Sequence, residues 1–153
     1  MTTMVEQEIE IMGWHPSFRD DTARLCQCFS DESLNEYGLG VDQQRLDEMT
    51  EMCKDLALFL LVDGKVTGLI AGMLVKNLCN GDLALQETVW YMDPEHRSHG
   101  KKLMVAFEQL GRDKKAKSIV MGLMCNSMQK RLDIFYKRQG YRPFEVQYLK
   151  ELN

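Results

Sequence analysis

The sequence predicts a mixed α/β (α+β) fold in which a largely antiparallel sheet is flanked by about four helices, in the order β-αα-βββ-α-β-α-β. Three observations carry that prediction. Apolar residues alternate in some segments and recur every three to four residues in others. Two Asx-Gly pairs, Asp63-Gly64 and Asn80-Gly81, join consecutive apolar runs as hairpin turns do. One strand-helix-strand stretch demands a parallel pair, because such a crossover returns the chain in the same direction. With 153 residues, 44% hydrophobic and 27% charged, and no Pro/Gly/Ser linker or repeat, one domain spanning residues 1–153 is expected.

The elements follow in order. Glu8 to Trp14 alternates acidic and apolar residues as a first strand, and Pro16-Ser17 opens an amphipathic helix with Phe18, Thr22, Leu25 and Phe29 on one stripe, ending near Ser30. Ser33 to Gly40 is a loop. Asp42 caps a second helix whose inner side carries Leu46, Met49 and Cys53. Phe59 to Val62, Val66 to Val75 and Leu83 to Met92 form a meander that stops at Asp93-Pro94, since proline lacks a ladder donor. Leu103, Phe107 and Leu110 mark a helix starting near Ser98, and Ser118 to Met124 is a short buried strand. A fourth helix carries Met128, Leu132 and Phe135 and closes at Gly140; Val146 and Tyr148 begin a terminal strand.

Charge and patterning exclude several classes. Nineteen basic against 23 acidic residues give a net charge of −4, so no basic field draws the chain to nucleic acid. The most apolar run, Leu56 to Val62, is far short of the ~18 residues that span a bilayer. Glu6, Glu8 and Glu10 stand where a secretory signal would be basic and apolar, which favours a cytoplasmic location. The cysteines, Cys26, Cys28, Cys53, Cys79 and Cys125, are odd in number and lack metal or redox spacing, so no metal site is expected.

The strongest chemical signal is Tyr91-Met92-Asp93-Pro94-Glu95-His96-Arg97-Ser98-His99-Gly100-Lys101-Lys102-Leu103, between a strand and a helix. Helix N-termini normally prefer acidic residues, whereas Arg97, Lys101 and Lys102 suit an imported anion such as a phosphate, with Gly100 allowing close backbone approach. A polar helix cap is the plainer reading. The second signal is Phe135-Tyr136-Lys137-Arg138-Gln139-Gly140-Tyr141, a helix end whose aromatics by themselves read as core.

Together the two segments resemble the GNAT N-acetyltransferase superfamily. Met92-Asp93-Pro94 matches its strand end, Arg97-Ser98-His99-Gly100 its phosphate loop, and Phe135-Tyr136 with Gly140-Tyr141 its second signature. Glu87 to Arg97, with Gly140-Tyr141-Arg142-Pro143, looks especially like acetyltransferases encoded in bacteriophage genomes. One departure is plain: the last small residue of the loop signature is Lys102 here.

The resemblance implies a sheet of six to seven strands, acetyl-CoA as cofactor, and direct transfer of the acetyl group to a primary amine on a small molecule or on a protein lysine or N-terminus. It implies Glu87 as general base, although strict counting back from Arg97 puts the family's base position at Gln86, which cannot accept a proton, and Tyr136 as general acid for the departing thiolate. A backbone N–H near Met92 would stabilise the oxyanion, and Arg97, Ser98, His99, Gly100, Lys101, Lys102 and Asn126 would hold the cofactor. Acidic candidates for gripping the amine are Glu36, Asp82 and Glu145. Homodimers are common in the family. The competing reading is a catalytically weak or inactive acyl-CoA-binding or interaction protein that keeps the fold.

Overall fold

The computed structural model describes all residues except 1–4, 35, 36, 38, 126, 127 and 153. They form two compact units, residues 1–122 and residues 123–153. The larger unit holds β1 (Ile9–Gly13), α1 (Arg19–Phe29), α2 (Gln43–Cys53), β2 (Ala57–Val62), β3 (Lys65–Lys76), β4 (Leu83–Met92), α3 (Gly100–Asp113) and β5 (Ser118–Val120). The smaller unit holds α4 (Gln129–Arg138).

The sheet runs β1-β2-β3-β4-β5 in space, antiparallel throughout except for the parallel pair β4–β5. The local reasons are those read from the sequence. Asp63 and Gly64 both have positive φ (50° and 79°), the mirror-image turn that matches strand twist. Asp42 caps α2 by accepting the Arg45 amide at 2.8 Å. The Asn80-Gly81 turn is broader than a two-residue hairpin: Asn77 Oδ1 accepts the amides of Cys79 and Asn80, and the strands resume at Leu83.

Each face of the sheet carries its own core. On one side Phe18 and Leu25 pack with Phe59, Leu69, Ala71 and Tyr91, and Arg19 clamps α1 to Asp47 of α2 at 2.8 Å. On the other side Leu103 and Phe107 of α3 meet Leu60, Ile70, Leu85 and Met92. Two bulges interrupt the ladders, one at Thr67 in β3 and one at Thr88 in β4, and each threonine hydroxyl donates to the carbonyl across from it, Leu60 and Ala71 respectively.

Several expectations are corrected. Five strands form among the described residues, not six or seven, because residues 141–152 contain no strand: Phe144, Val146 and Tyr148 are 81%, 74% and 94% exposed. Their own unit offers them a helix and no sheet edge, and a lone strand has no ladder to join. β5 ends at Val120, where its pairing with β4 ends, instead of running to Met124. The first helix continues past Phe29 as a π-turn over Ser30–Leu34. A 3₁₀ segment, Pro94–His99, precedes α3, which starts at Gly100.

Candidate active site

Where β4 loses β5, the sheet opens. The last parallel rung joins Gln86 to Val120, and Glu87 is the next residue of β4. Glu87 stands opposite Gly72, whose missing side chain would point at Phe107 of α3, whereas after the Thr88 bulge Val89 stands opposite Ala71 in the α1-side core. Strict alternation would put Glu87, Val89 and Tyr91 on one face; the extra residue at Thr88 puts Glu87 out of phase with the other two. Gln86 is the last residue of the parallel ladder with β5, and Glu87 is the first beyond it.

Glu87 is partly buried, and burial drives its carboxyl up from 4.5 to about 7, against a downward pull from a hydrogen bond with the Gly122 backbone. Glycine at 122 makes room for this contact, since a Cβ there would lie 3.1 Å from Glu87 Oε2. A carboxyl titrating near neutrality is suited to take up and release protons at physiological pH.

At the far end of β4 the ladder alternation orients the backbone. The Asp93 amide donates to Thr67 of β3 at 2.8 Å, so the neighbouring Met92 amide and carbonyl point the other way, toward the side that β5 has left. The Met92 carbonyl accepts Arg97 Nε at 3.2 Å. Arg97 also lies 5.6 Å from the centroid of the Tyr91 ring, and its Nη2 donates to both oxygens of Glu32 at 2.7 and 2.8 Å. Burial, followed by the Glu32 charge, pushes the Tyr91 phenol to about 12, which keeps it neutral.

The start of α3 carries no side-chain cap and no acidic residue in its first turn. Gly100 is buried with the Trp90 ring 3.4 Å from where its Cβ would be, while Ser98, Lys101 and Lys102 are exposed. His99 and His96 stack with centroids 6.4 Å apart; burial first, then Lys102 and His96, hold His99 below the usual histidine value. Arg97 to Lys102, the residues expected to hold phosphate, thus run from the 3₁₀ segment Pro94–His99 into the first turn of α3, where the Gly100 amide donates to the Arg97 carbonyl. Asp93 is committed elsewhere, paired with Arg24 at 2.9 Å. On the α1 side of this end lies an open depression of about 600 Å³ lined by Arg24, Lys65, Asp93 and His96 among others.

In the smaller unit, the sequence Phe135-Tyr136…Gly140-Tyr141 forms a Schellman cap. Gly140 has φ of 89°, its amide donates to the Lys137 carbonyl, and the Tyr141 amide reaches back to the Tyr136 carbonyl at 3.0 Å. The rings of Tyr136 and Tyr141 lie 5.8 Å apart, the apolar contact that accompanies this cap, and Tyr136 is 8% exposed. The motif thereby fixes the position of Tyr136 on α4. Asn126 and Glu36 lie outside the described residues. Asp82 pairs with Lys117 at 3.2 Å, and Glu145 accepts from Gln147 at 3.3 Å. Among the described residues no group of His, Cys, Asp and Glu has the arrangement of a metal site, and no helix is long and apolar enough to cross a membrane. Sequence reading missed Glu32, which lies 65 residues from Arg97 in a segment with no motif.

No family profile and no curated protein matches the sequence. Solved structures do match the fold. A ribosomal-protein-alanine N-acetyltransferase from Brucella melitensis biovar Abortus superposes with TM-score 0.75 at 17% identity, covering 94% of this chain and 99% of its own. An aminoglycoside N-acetyltransferase crystallised with CoA gives TM-score 0.74 at 12% identity, covering 98% of both chains. A GNAT family acetyltransferase from Staphylococcus aureus gives 0.66 at 17% identity, covering 94% of this chain and 98% of its own. The chain has the fold of the GNAT-family acetyltransferases.

Proposed function

We propose that the protein is an N-acetyltransferase that moves the acetyl group of acetyl-CoA directly to a primary amine. The observation that carries the reading is Glu87, a carboxyl lifted to about 7 at the point where β4 and β5 part. A lysine-like amine holds its proton up to about 10.4, so it needs a base before it can attack. Glu87 accepts that proton, directly or through water. The amine nitrogen bonds to the thioester carbon, the carbonyl oxygen gains negative charge beside the Met92 amide, and the C–S bond then breaks. Tyr136 gives its phenolic proton to the departing thiolate, the acylated nitrogen sheds its second proton to water, and Tyr136 recovers a proton from solvent, leaving an amide and CoA. Arg97, Ser98, His99, Gly100, Lys101 and Lys102 would hold the diphosphate at the start of α3, and Asn126 is the residue that the family resemblance assigns to the pantetheine arm. Solved neighbours named for ribosomal-protein alanine and for aminoglycosides support an amine acceptor as a class.

The test is calorimetric titration with acetyl-CoA and CoA, followed by release of free thiol in the presence of a polyamine, an aminosugar, an aminoglycoside and a lysine-containing peptide. Saturable binding that Gly100→Trp removes, with turnover that Tyr136→Phe lowers while binding persists, supports the assignment. Binding without thiol release for any amine favours the second reading, an acyl-CoA-binding protein without transfer. Lys102 at the usually small position is the observation behind that alternative.

A further inference from the structure

Resting on that reading, we propose that Glu32 is the chain's own stand-in for the cofactor diphosphate, a carboxylate that occupies Arg97 until the diphosphate displaces it. The start of α3 gathers positive charge from Arg97, Lys101 and Lys102 without an acidic residue in the first turn of the helix. The neighbouring Asp93 is taken by Arg24. The carboxylate that does reach Arg97 comes from another element, the π-turn Ser30–Leu34 that follows α1.

The pair has the features of an exchangeable contact. Both Glu32 oxygens accept from Arg97 Nη2, yet the side chains are 36% and 33% exposed, so water and other anions can compete. Arg97 stays in place without Glu32, because Nε is held by the Met92 carbonyl and the guanidinium rests against the Tyr91 ring. The turn is likewise anchored without Arg97, by Ser30 Oγ donating to the Leu39 carbonyl at 2.7 Å. Exchange therefore needs only the Glu32 side chain to swing away. A diphosphate carries more charge than one carboxylate and offers the same kind of oxygen acceptors to Arg97 Nη2. Its cost is that every binding event must break the Glu32–Arg97 pair, which lowers affinity for CoA.

The test compares CoA, inorganic pyrophosphate and pantetheine, which lacks the diphosphate, on the wild type, Glu32→Gln, Arg97→Ala and the double variant. We expect Glu32→Gln to tighten CoA and pyrophosphate roughly three- to tenfold, to leave pantetheine unchanged, and to have no effect once Arg97 is alanine. Glu32→Asp, which keeps the charge but shortens the reach, falls between; it also serves as the readout if the glutamine variant melts early. CoA binding that is unchanged or weakened by Glu32→Gln overturns the stand-in role while leaving the acetyltransferase reading intact. Failure of the wild type to bind CoA overturns both.

Discussion

The two halves of β4 differ in what pairs with them. Leu83–Gln86 lie between β3 and β5, with Leu85 fully buried and Gln86 on the last parallel rung; Glu87–Met92 pair with β3 alone. One half has a strand on each side and the other, among the described residues, on one side only, and the bulge at Thr88 falls within the second half directly after Glu87. Beyond the last β5 rung, strand backbone groups such as the Met92 amide no longer face β5, and such groups can serve a ligand. The first half gives the strand its place; the second half gives it chemistry.

The comparison is broken most directly at Glu87. Glu87→Gln keeps the shape and removes the proton acceptor, and turnover should fall roughly 10²- to 10⁴-fold with CoA affinity little changed. In the wild type, kcat/KM should rise with pH through about 7 as the carboxylate forms, and that limb should vanish in the variant. Stability moves the opposite way. The folded carboxyl titrates near 7 and the unfolded one near 4.5, so the folded state binds its proton more tightly; the contribution of Glu87 to stability is full below about 4.5 and is lost as pH rises through 7. The loss is on the order of 3 kcal/mol. Glu87→Gln should therefore be less active and more stable than the wild type at pH 8, with the stability gap closing near pH 4. Denaturant melts at the two pH values decide it; equal stability at both would mean that Glu87 is solvated and the second half of β4 is an ordinary edge.

The join between the two halves is tested at Gly72, which stands opposite Glu87. A Cβ there would stand 2.5 Å from the Gln86 carbonyl oxygen and 2.8 Å from Phe107 Cζ, and a strand backbone cannot step aside as a flexible side chain can. Gly72→Ala should destabilise by about 1–3 kcal/mol through overpacking. Chemical denaturation measures it, and a neutral result would show that β3 and β4 are looser than the register implies.

Much of this was readable before the structure. Asp63-Gly64, the Asp42 cap and the strand-helix-strand order are local signals, each fixed by a few adjacent residues, and they appear where expected. Phe135 to Tyr141 stood out because the helix end demands a glycine there, as the Gly140 cap shows, whereas Arg97 to Lys102 stood out by charge, Gly100 having an ordinary helical φ of −57°. What stayed hidden depends on partners far along the chain. The phase of Glu87 turns on one extra residue at Thr88, which alternation cannot detect, and the Glu32–Arg97 pair spans 65 residues. The terminal strand failed for the converse reason: Phe144, Val146 and Tyr148 alternate correctly, but alternation describes a strand's faces and says nothing of whether an edge is there to receive it.

The smallest effect is also the sharpest test of the boundary between the two halves. Thr88 Oγ1 donates to the Ala71 carbonyl at 3.1 Å, bracing the bulge that separates Glu87 from Val89. Thr88→Val preserves shape and β-branching but removes the donor, and should cost about 0.5–1.5 kcal/mol. Stability alone does not distinguish a brace from an incidental hydrogen bond. If the hydroxyl holds the bulge, its loss lets β4 relax and water reach Glu87, and a better hydrated carboxyl falls from about 7 toward 4.5. The rising limb of kcat/KM should then shift to lower pH in Thr88→Val while the plateau stays close to that of the wild type. A limb that does not move, with the same loss of stability, would assign the desolvation of Glu87 to its contacts with Gly122 and the neighbouring core and leave the bulge with a purely geometric role.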